Sequence, residues 1–258
     1  MRTSFRLALA VTVLVALTAL VLALTVAPST EEKKQVDRAD RVAQEYERRL
    51  TLAVDDLAVY LAKRRFENET DYQKLYDEVT ERIDEVPRIP EQGTTAYARE
   101  HSRDYRTAKA RRGLELEPYR EFTRRLKAEA IPRQEFVELG IEIVQINPVE
   151  LLEGFAVQFS GQPLRSEVVP EYRKVRRKLR KQEPAREDAE LARDLERYVD
   201  DAIKQTQDGA DDIDAGRAFF FDFGNRPETL LTRLEATQRS IAAEVSAQVD
   251  AFDSVGSS

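Results

Sequence analysis

The run from Arg173 to Lys181, RKVRRKLRK, places seven positive charges in nine residues. Guanidinium and ammonium groups at that density attract phosphate, sulfate and carboxylate groups, through an interaction that salt screens. On a helix, Tyr172, Val175 and Leu179 would form an apolar stripe. Arg173, Lys174, Arg176, Arg177, Lys178, Arg180 and Lys181 would cover the remaining surface. The chain that follows Pro184 is acidic, with Glu187, Asp188, Glu190, Asp194 and Glu196. The plain reading pairs these two segments, or leaves the charge in solvent. The functional reading is a docking face for an anionic surface: phospholipid headgroups, acidic glycans or an acidic protein partner. Nucleic acid is not expected, because no aromatic platform is interleaved with the charges. The chain as a whole is also acidic, with a net charge of −7.

Other residue types capable of chemistry are sparse. There is no Cys, which removes disulfides, thiol catalysis and Cys-ligated zinc. The single His, His101, lies in REHSRDYR beside Ser102, Asp104 and Tyr105. On one helix His101 and Tyr105 would share a face, but no nucleophile elbow or Gly-rich oxyanion loop accompanies them. Asp208, Asp211, Asp212 and Asp214 crowd into DGADDIDAG, where oxygen ligands could hold Ca²⁺. The spacing is not that of an EF-hand, since the closing position, eleven residues after Asp208, is Phe219. A capping turn explains this stretch more simply. Asn68 in NET is an acceptor pattern for N-glycosylation in an exposed extracytoplasmic turn. No phosphate-binding loop, zinc motif or dinucleotide fingerprint occurs. No cofactor, metal or catalytic activity is expected.

These residues must be positioned by helices. Residues 1–6 carry Arg2 and Arg6 and read as a cytoplasmic N-terminus. Leu7–Val26 is a run of twenty residues without charge. As a helix it is about 30 Å long, the thickness of the bilayer hydrocarbon. It reads as an uncleaved signal-anchor, being longer than the usual signal-peptide core. The flanking arginines place the N-terminus inside and everything beyond the run outside.

Residues 27–66 read as a long stalk or spine helix. Val36, Ala39, Ala43, Tyr46, Leu50, Ala53, Leu57 and Tyr60 repeat three and four apart, the pattern of a heptad seam. The seam packs either within a bundle or between two copies in a homodimer. Residues 67–252 read as an extracytoplasmic helical bundle, and 253–258 as a loose tail. Within the bundle, one helix carries Tyr72, Leu75, Val79 and Ile83 on a face. A next is closed by Gly113, and another begins at Pro118 and ends before Pro132. Residues 133–161 read as two helices broken at Asn147, the second carrying Val149, Leu152, Ala156 and Phe159. DGADDIDAG reads as a turn. Phe219, Phe220, Phe221 and Phe223 read as core, or as an apolar surface for lipid or for a pocket. A final helix carries Leu230, Leu234, Ile241, Val245 and Phe252. YREFTRRLKAEAIP, from Tyr119, and YRKVRRKLRKQEP, from Tyr172, share a helix style at an offset of 53 residues.

The fold class expected is all-α: a transmembrane helix, a long heptad-patterned helix and a multi-helix bundle. The function expected is that of a membrane-anchored, non-enzymatic interaction or scaffold protein. The alternative is a helical ligand-sensing or lipid-handling domain. If Leu7–Val26 anchors the chain, protease added to intact cells will remove a C-terminal tag. A tag protected until the cytoplasm is opened, or a soluble product beginning near Pro28, would contradict this topology.

Overall fold

The computed structural model describes residues 29–67, 70–155, 157 and 160–255. All regular structure among them is helical. No helix among the described residues is long and apolar enough to cross a membrane. The run Leu7–Val26, the acceptor Asn68, and Ala156 and Phe159 lie outside the described residues.

The helices are α1 (Thr30–Ala62), α2 (Tyr72–Glu85), α3 (Ala96–His101), α4 (Arg103–Arg125), α5 (Ile131–Val144), α6 (Pro148–Leu151), α7 (Val169–Leu179), α8 (Ala189–Asp214) and α9 (Arg226–Val255). They contribute to two compact units. Among the described residues, one draws on the chain up to Asp56 and on Asp84–Glu117, the other on Leu57–Ile83 and the chain from Pro118 onward.

A capping box starts α1: Ser29 Oγ accepts from Glu32 N–H at 3.2 Å, and Ser29 N–H donates to the Glu32 carboxylate at 2.6 Å. Ala39, Ala43, Tyr46, Leu50 and Leu57 of the expected seam are buried. Its last member is Leu61 rather than Tyr60, since Tyr60 instead turns its hydroxyl to Glu78. In the first unit, the proline-bracketed segment between α2 and α3 has carbonyls without helical partners. Tyr46 and Arg112 donate to Pro87 O at 3.2 and 3.1 Å, and Tyr105 donates to Pro90 O at 3.2 Å.

Three expected helix boundaries are overturned. The break in the third expected helix falls at Ser102, not Gly113. Ser102 Oγ accepts from Tyr105 N–H at 2.9 Å and donates to Asp40 at 2.5 Å, capping α4. From there α4 runs unbroken through Gly113 and Pro118. Its buried stripe, Tyr105, Ala108, Leu116, Tyr119 and Phe122, outweighs the local cost of both residues. The carbonyl that Pro118 leaves without its helical donor belongs to Leu114, a residue 76% exposed.

Next, the chain does not stop before Pro132. A π-helical turn, Leu126–Ala130, leads into α5, with Ile131 N–H bonding Leu126 O five residues back. A second such turn, Leu164–Val168, leads into α7, with Val169 N–H on Leu164 O. The widened turn accommodates a proline, whose ring would press on the carbonyl four residues earlier in a regular helix. The two sequences, LKAEAIP and LRSEVVP, are closely alike at an offset of 38 residues (164 − 126). This is the structural echo. The 53-residue one is a shared helix style, with Tyr119, Phe122 and Leu126 buried as Tyr172, Val175 and Leu179 are, and it ends where a π-turn in the first segment meets the end of α7 in the second.

Finally, DGADDIDAG is helical as far as Asp214. Gly209 is buried there because the Phe219 ring lies against it, where a Cβ would come within 2.5 Å. The helix after Asn147 is a single turn. Asn147 Oδ1 caps it from Val149 N–H at 3.1 Å, as expected, but it ends at Leu151 ahead of Gly154, whose φ is +84°. Val149 is therefore exposed instead of forming an apolar face.

In the second unit α5 lies at the centre, against α7, α8 and α9. Gly140 permits this: a Cβ there would come within 2.5 Å of Leu234 of α9 and 3.2 Å of Leu195 of α8. Gly161 lies closer still, with a Cβ position 2.2 Å from the Ala210 carbonyl oxygen. Its N–H donates to Asp214 at 2.7 Å, and Arg165 holds the same carboxylate at 2.6 Å. These bonds, the backbone one first, hold the Asp214 carboxyl below its ordinary pKa.

Two glycines therefore predict opposite outcomes for one substitution. Gly113→Ala meets nothing within 4 Å on an exposed helix surface and is expected to stabilise by about 0.5–1 kcal/mol. Gly161→Ala meets backbone and is expected to destabilise by about 1–3 kcal/mol. Thermal or urea melts read both, and shifts of the same sign would contradict the packing described.

Candidate functional site

The basic run forms α7, and Tyr172, Val175 and Leu179 are buried as the apolar stripe expected. Burial pushes the Tyr172 phenol far above its ordinary pKa, and neighbouring Tyr198 of α8 adds to the shift. The stripe fixes which way every charge on α7 points.

The seven charges divide into two sets. Arg176 Nε faces Asp200 at 2.7 Å, and Arg180 Nε donates to Glu196 at 2.7 Å, so both bind α8. Lys178 reaches Glu142 of α5 at 2.8 Å. Lys174 pairs with Glu171 on its own helix at 3.2 Å. Arg173, Arg177 and Lys181 are exposed and have no carboxylate within ion-pair distance among the described residues. Arg173 and Arg177 lie four residues apart on one face of α7, about 6 Å from each other, and Lys181 follows in the turn just beyond the helix end. The acidic segment after Pro184 thus takes Arg176 and Arg180, and leaves this stripe unpaired.

The approach to α8 is tied to α5 and α9 by an ionic clamp, buried at Arg133 and Asp188, that the sequence reading missed. Arg133, in the first turn of α5, is only 6% exposed. Its Nε donates to Asp188 at 2.9 Å, and Asp188 is itself buried. One terminal nitrogen donates to both oxygens of Glu244 on α9, at 3.1 and 2.8 Å, and lies 3.3 Å from Glu187. Burial opposes the charged guanidinium. The bonds to Asp188 and Glu244 outweigh it and hold the Arg133 pKa above its ordinary value. Gln134, the next residue, accepts from Tyr72 N–H at 3.0 Å and so ties α2 to the same point. The Tyr72 hydroxyl is buried without a hydrogen-bond partner among the described residues, and burial raises its pKa to about 12.

The other candidates separate. His101 is exposed, stacks on Tyr97 at 3.9 Å and bonds the Tyr97 carbonyl at 2.8 Å, while Tyr105 is buried beyond the Ser102 break. The aspartates are consumed by cations: Asp208 by Lys204, Asp212 by Arg217, and Asp211 and Asp214 by Arg165. Among the described residues no three carboxylates are placed to hold a metal ion.

The expectation that Phe219–Phe223 is core is overturned. The segment is a strap between α8 and α9, and none of its phenylalanines is fully buried. Phe220 is 84% exposed. The strap is pinned, with Phe219 on Gly209, Asp222 bonded through its backbone to Gln205 at 2.9 and 3.2 Å, and Phe223 against Tyr198. It is too short to double back into a core already filled by α8 and α9. Beside it, Tyr198 and Leu230 floor an open cleft of about 450 Å³. Its rim is charged, with Arg226 paired to Asp201 and Arg233 to Asp194.

Arg133→Gln is expected to cost about 3–5 kcal/mol, because Asp188 would be left buried without its cation. Arg173→Gln, on the free stripe, is expected to leave the melting temperature unchanged. Equal effects in a thermal melt would show that the two sets of charges are not distinct. No known protein family, curated protein or solved structure matches this chain.

Proposed function

We propose that this chain is a non-enzymatic interaction protein, held in a membrane by Leu7–Val26 with its helical units outside the cytoplasm. In this reading it docks an anionic partner through Arg173, Arg177 and Lys181. The observation that carries the reading is the division of charge on α7. Arg176, Lys178 and Arg180 are spent on carboxylates of neighbouring helices, and Lys174 on Glu171 of its own helix. The other three form one exposed line. Long side chains that have no partner gain little by clustering, since like charges repel. A line of them on a helix fixed by burial on one side and ion pairs on the other is preorganised for an anionic surface.

The cleft beside Phe223 supports the second reading, a ligand-handling domain, through its volume and aromatic floor. Its charges are already matched in pairs, and the cleft is open to solvent at the surface. This favours a surface that docks over a cavity that stores. Dimerisation through the long helix would use a seam whose side chains the chain itself covers.

The test uses the full chain purified from membranes. With Arg173, Arg177 and Lys181 changed to Gln, co-purified partner and binding to anionic phosphatidylglycerol vesicles are expected to fall while the melting temperature holds. With Arg176 and Arg180 changed to Gln, stability is expected to fall. Undiminished binding in the first variant would overturn the docking face.

A further inference from the structure

An acidic face that complements the basic stripe lies in this same molecule, on α2. Asp77, Glu81 and Glu85 are exposed and stand four residues apart on one uninterrupted helix. Arg173 and Arg177 stand at the same interval on α7, about 6 Å, with Lys181 in the turn beyond its end, so a line of positive charge can oppose a line of negative charge of similar length. Asp77 accepts from Gln73 at 3.0 Å. None of the three carboxylates has a cation within ion-pair distance among the described residues. The basic residues of that helix are placed elsewhere. Arg82 lies over the Tyr60 ring at 3.8 Å, and Lys74 stands at the N-terminal end.

The position of this acidic line is also unfavourable for the helix that carries it. Glu85, with Asp84 beside it, closes α2 at its C-terminal end. The carbonyl ends of the backbone already give that end a negative potential, where acidic side chains cost stability and basic ones add it. Arg82 in the last turn offsets part of that cost, but Glu81 and Glu85 gain no ion-pair partner among the described residues.

We propose that the anionic partner of the Arg173–Arg177–Lys181 stripe is a second copy of this chain, which presents Asp77, Glu81 and Glu85. The proposal rests on the reading of the stripe as a docking face and names what it docks. The two surfaces are different patches, so each copy offers one of each. The contact is head-to-tail and propagates to a ring or a filament unless its rotation closes on two copies. Exposed ion pairs are individually weak and screened by salt. Association is therefore modest in solution and rises when the chains share one membrane, where confinement raises their effective concentration.

The test exploits the absence of Cys. Ser258→Cys gives a single labelling site in the tail, and donor- and acceptor-labelled full chains are reconstituted together at low density in neutral phosphatidylcholine vesicles. Energy transfer is expected between wild-type copies, with loss at high salt. Arg173→Glu, Arg177→Glu and Lys181→Glu together abolish it, and so do Asp77→Lys, Glu81→Lys and Glu85→Lys together. Mixing the two reversed proteins restores it, which also shows that both fold. Absence of transfer between wild-type copies overturns the proposal, as does transfer that survives both reversals or a mixture that stays apart. If copies do not associate, yet the Gln variant of the stripe still loses its co-purified partner, the docking face stands and its partner is another molecule.

Discussion

A guanidinium taken out of water must be matched, or the fold that buries it does not form. Arg133 sets that condition here. Its bonds join the start of α5, the approach to α8 and the middle of α9, through Asp188, which is buried, and Glu244, which is half-exposed. Apolar packing sets the approach of these helices by shape, as the fit of Leu234 against Gly140 shows. The Arg133–Asp188 pair adds a contact of one fixed geometry at the start of α5. From α5 the packing extends to α7, α8 and α9. The direction of the basic stripe on α7 is the last link in that chain of constraints.

Much of this was legible in the sequence because burial on a helix is periodic. The face of α2, the stripe of α7 and the core side of α9 are where spacing of three and four places them. Gly and Pro were the unreliable signals. Gly113 and Pro118 read as punctuation yet sit within α4, since the apolar stripe continues on the far side of the helix and its packing outweighs their local cost. Gly209 reads as part of a turn, but it is small to admit the Phe219 ring. Both π-turns carried a signal in LKAEAIP and LRSEVVP. Finding it required comparing the residues before each proline rather than those after each tyrosine.

The site was legible only in outline. A sequence shows that α7 is basic and that an acidic segment follows, but not which cation meets which carboxylate. Arg176 and Arg180 point toward α8 because Val175 and Leu179 point into the core, and Arg173 and Arg177 are carried away from it by the same rotation. Arg133 gave no signal at all. It follows Pro132 in a stretch of mixed charge, and its burial depends on partners 55 and 111 residues distant along the chain. The phenylalanine strap shows the converse, since apolar composition suggests core while a short connection pinned at Gln205 and Gly209 keeps Phe220 outside.

The central claim is that the unpaired stripe on α7 is occupied where the protein works. Lysine acylation followed by mass spectrometry tests this on the unaltered chain. Lys181 belongs to the stripe, Lys178 is paired with Glu142, and Lys109 is exposed on α4. The account predicts that Lys181 reacts more slowly in native membranes than in the purified protein, while Lys178 and Lys109 react alike in both. Equal reactivity of Lys181 in the two settings would contradict it.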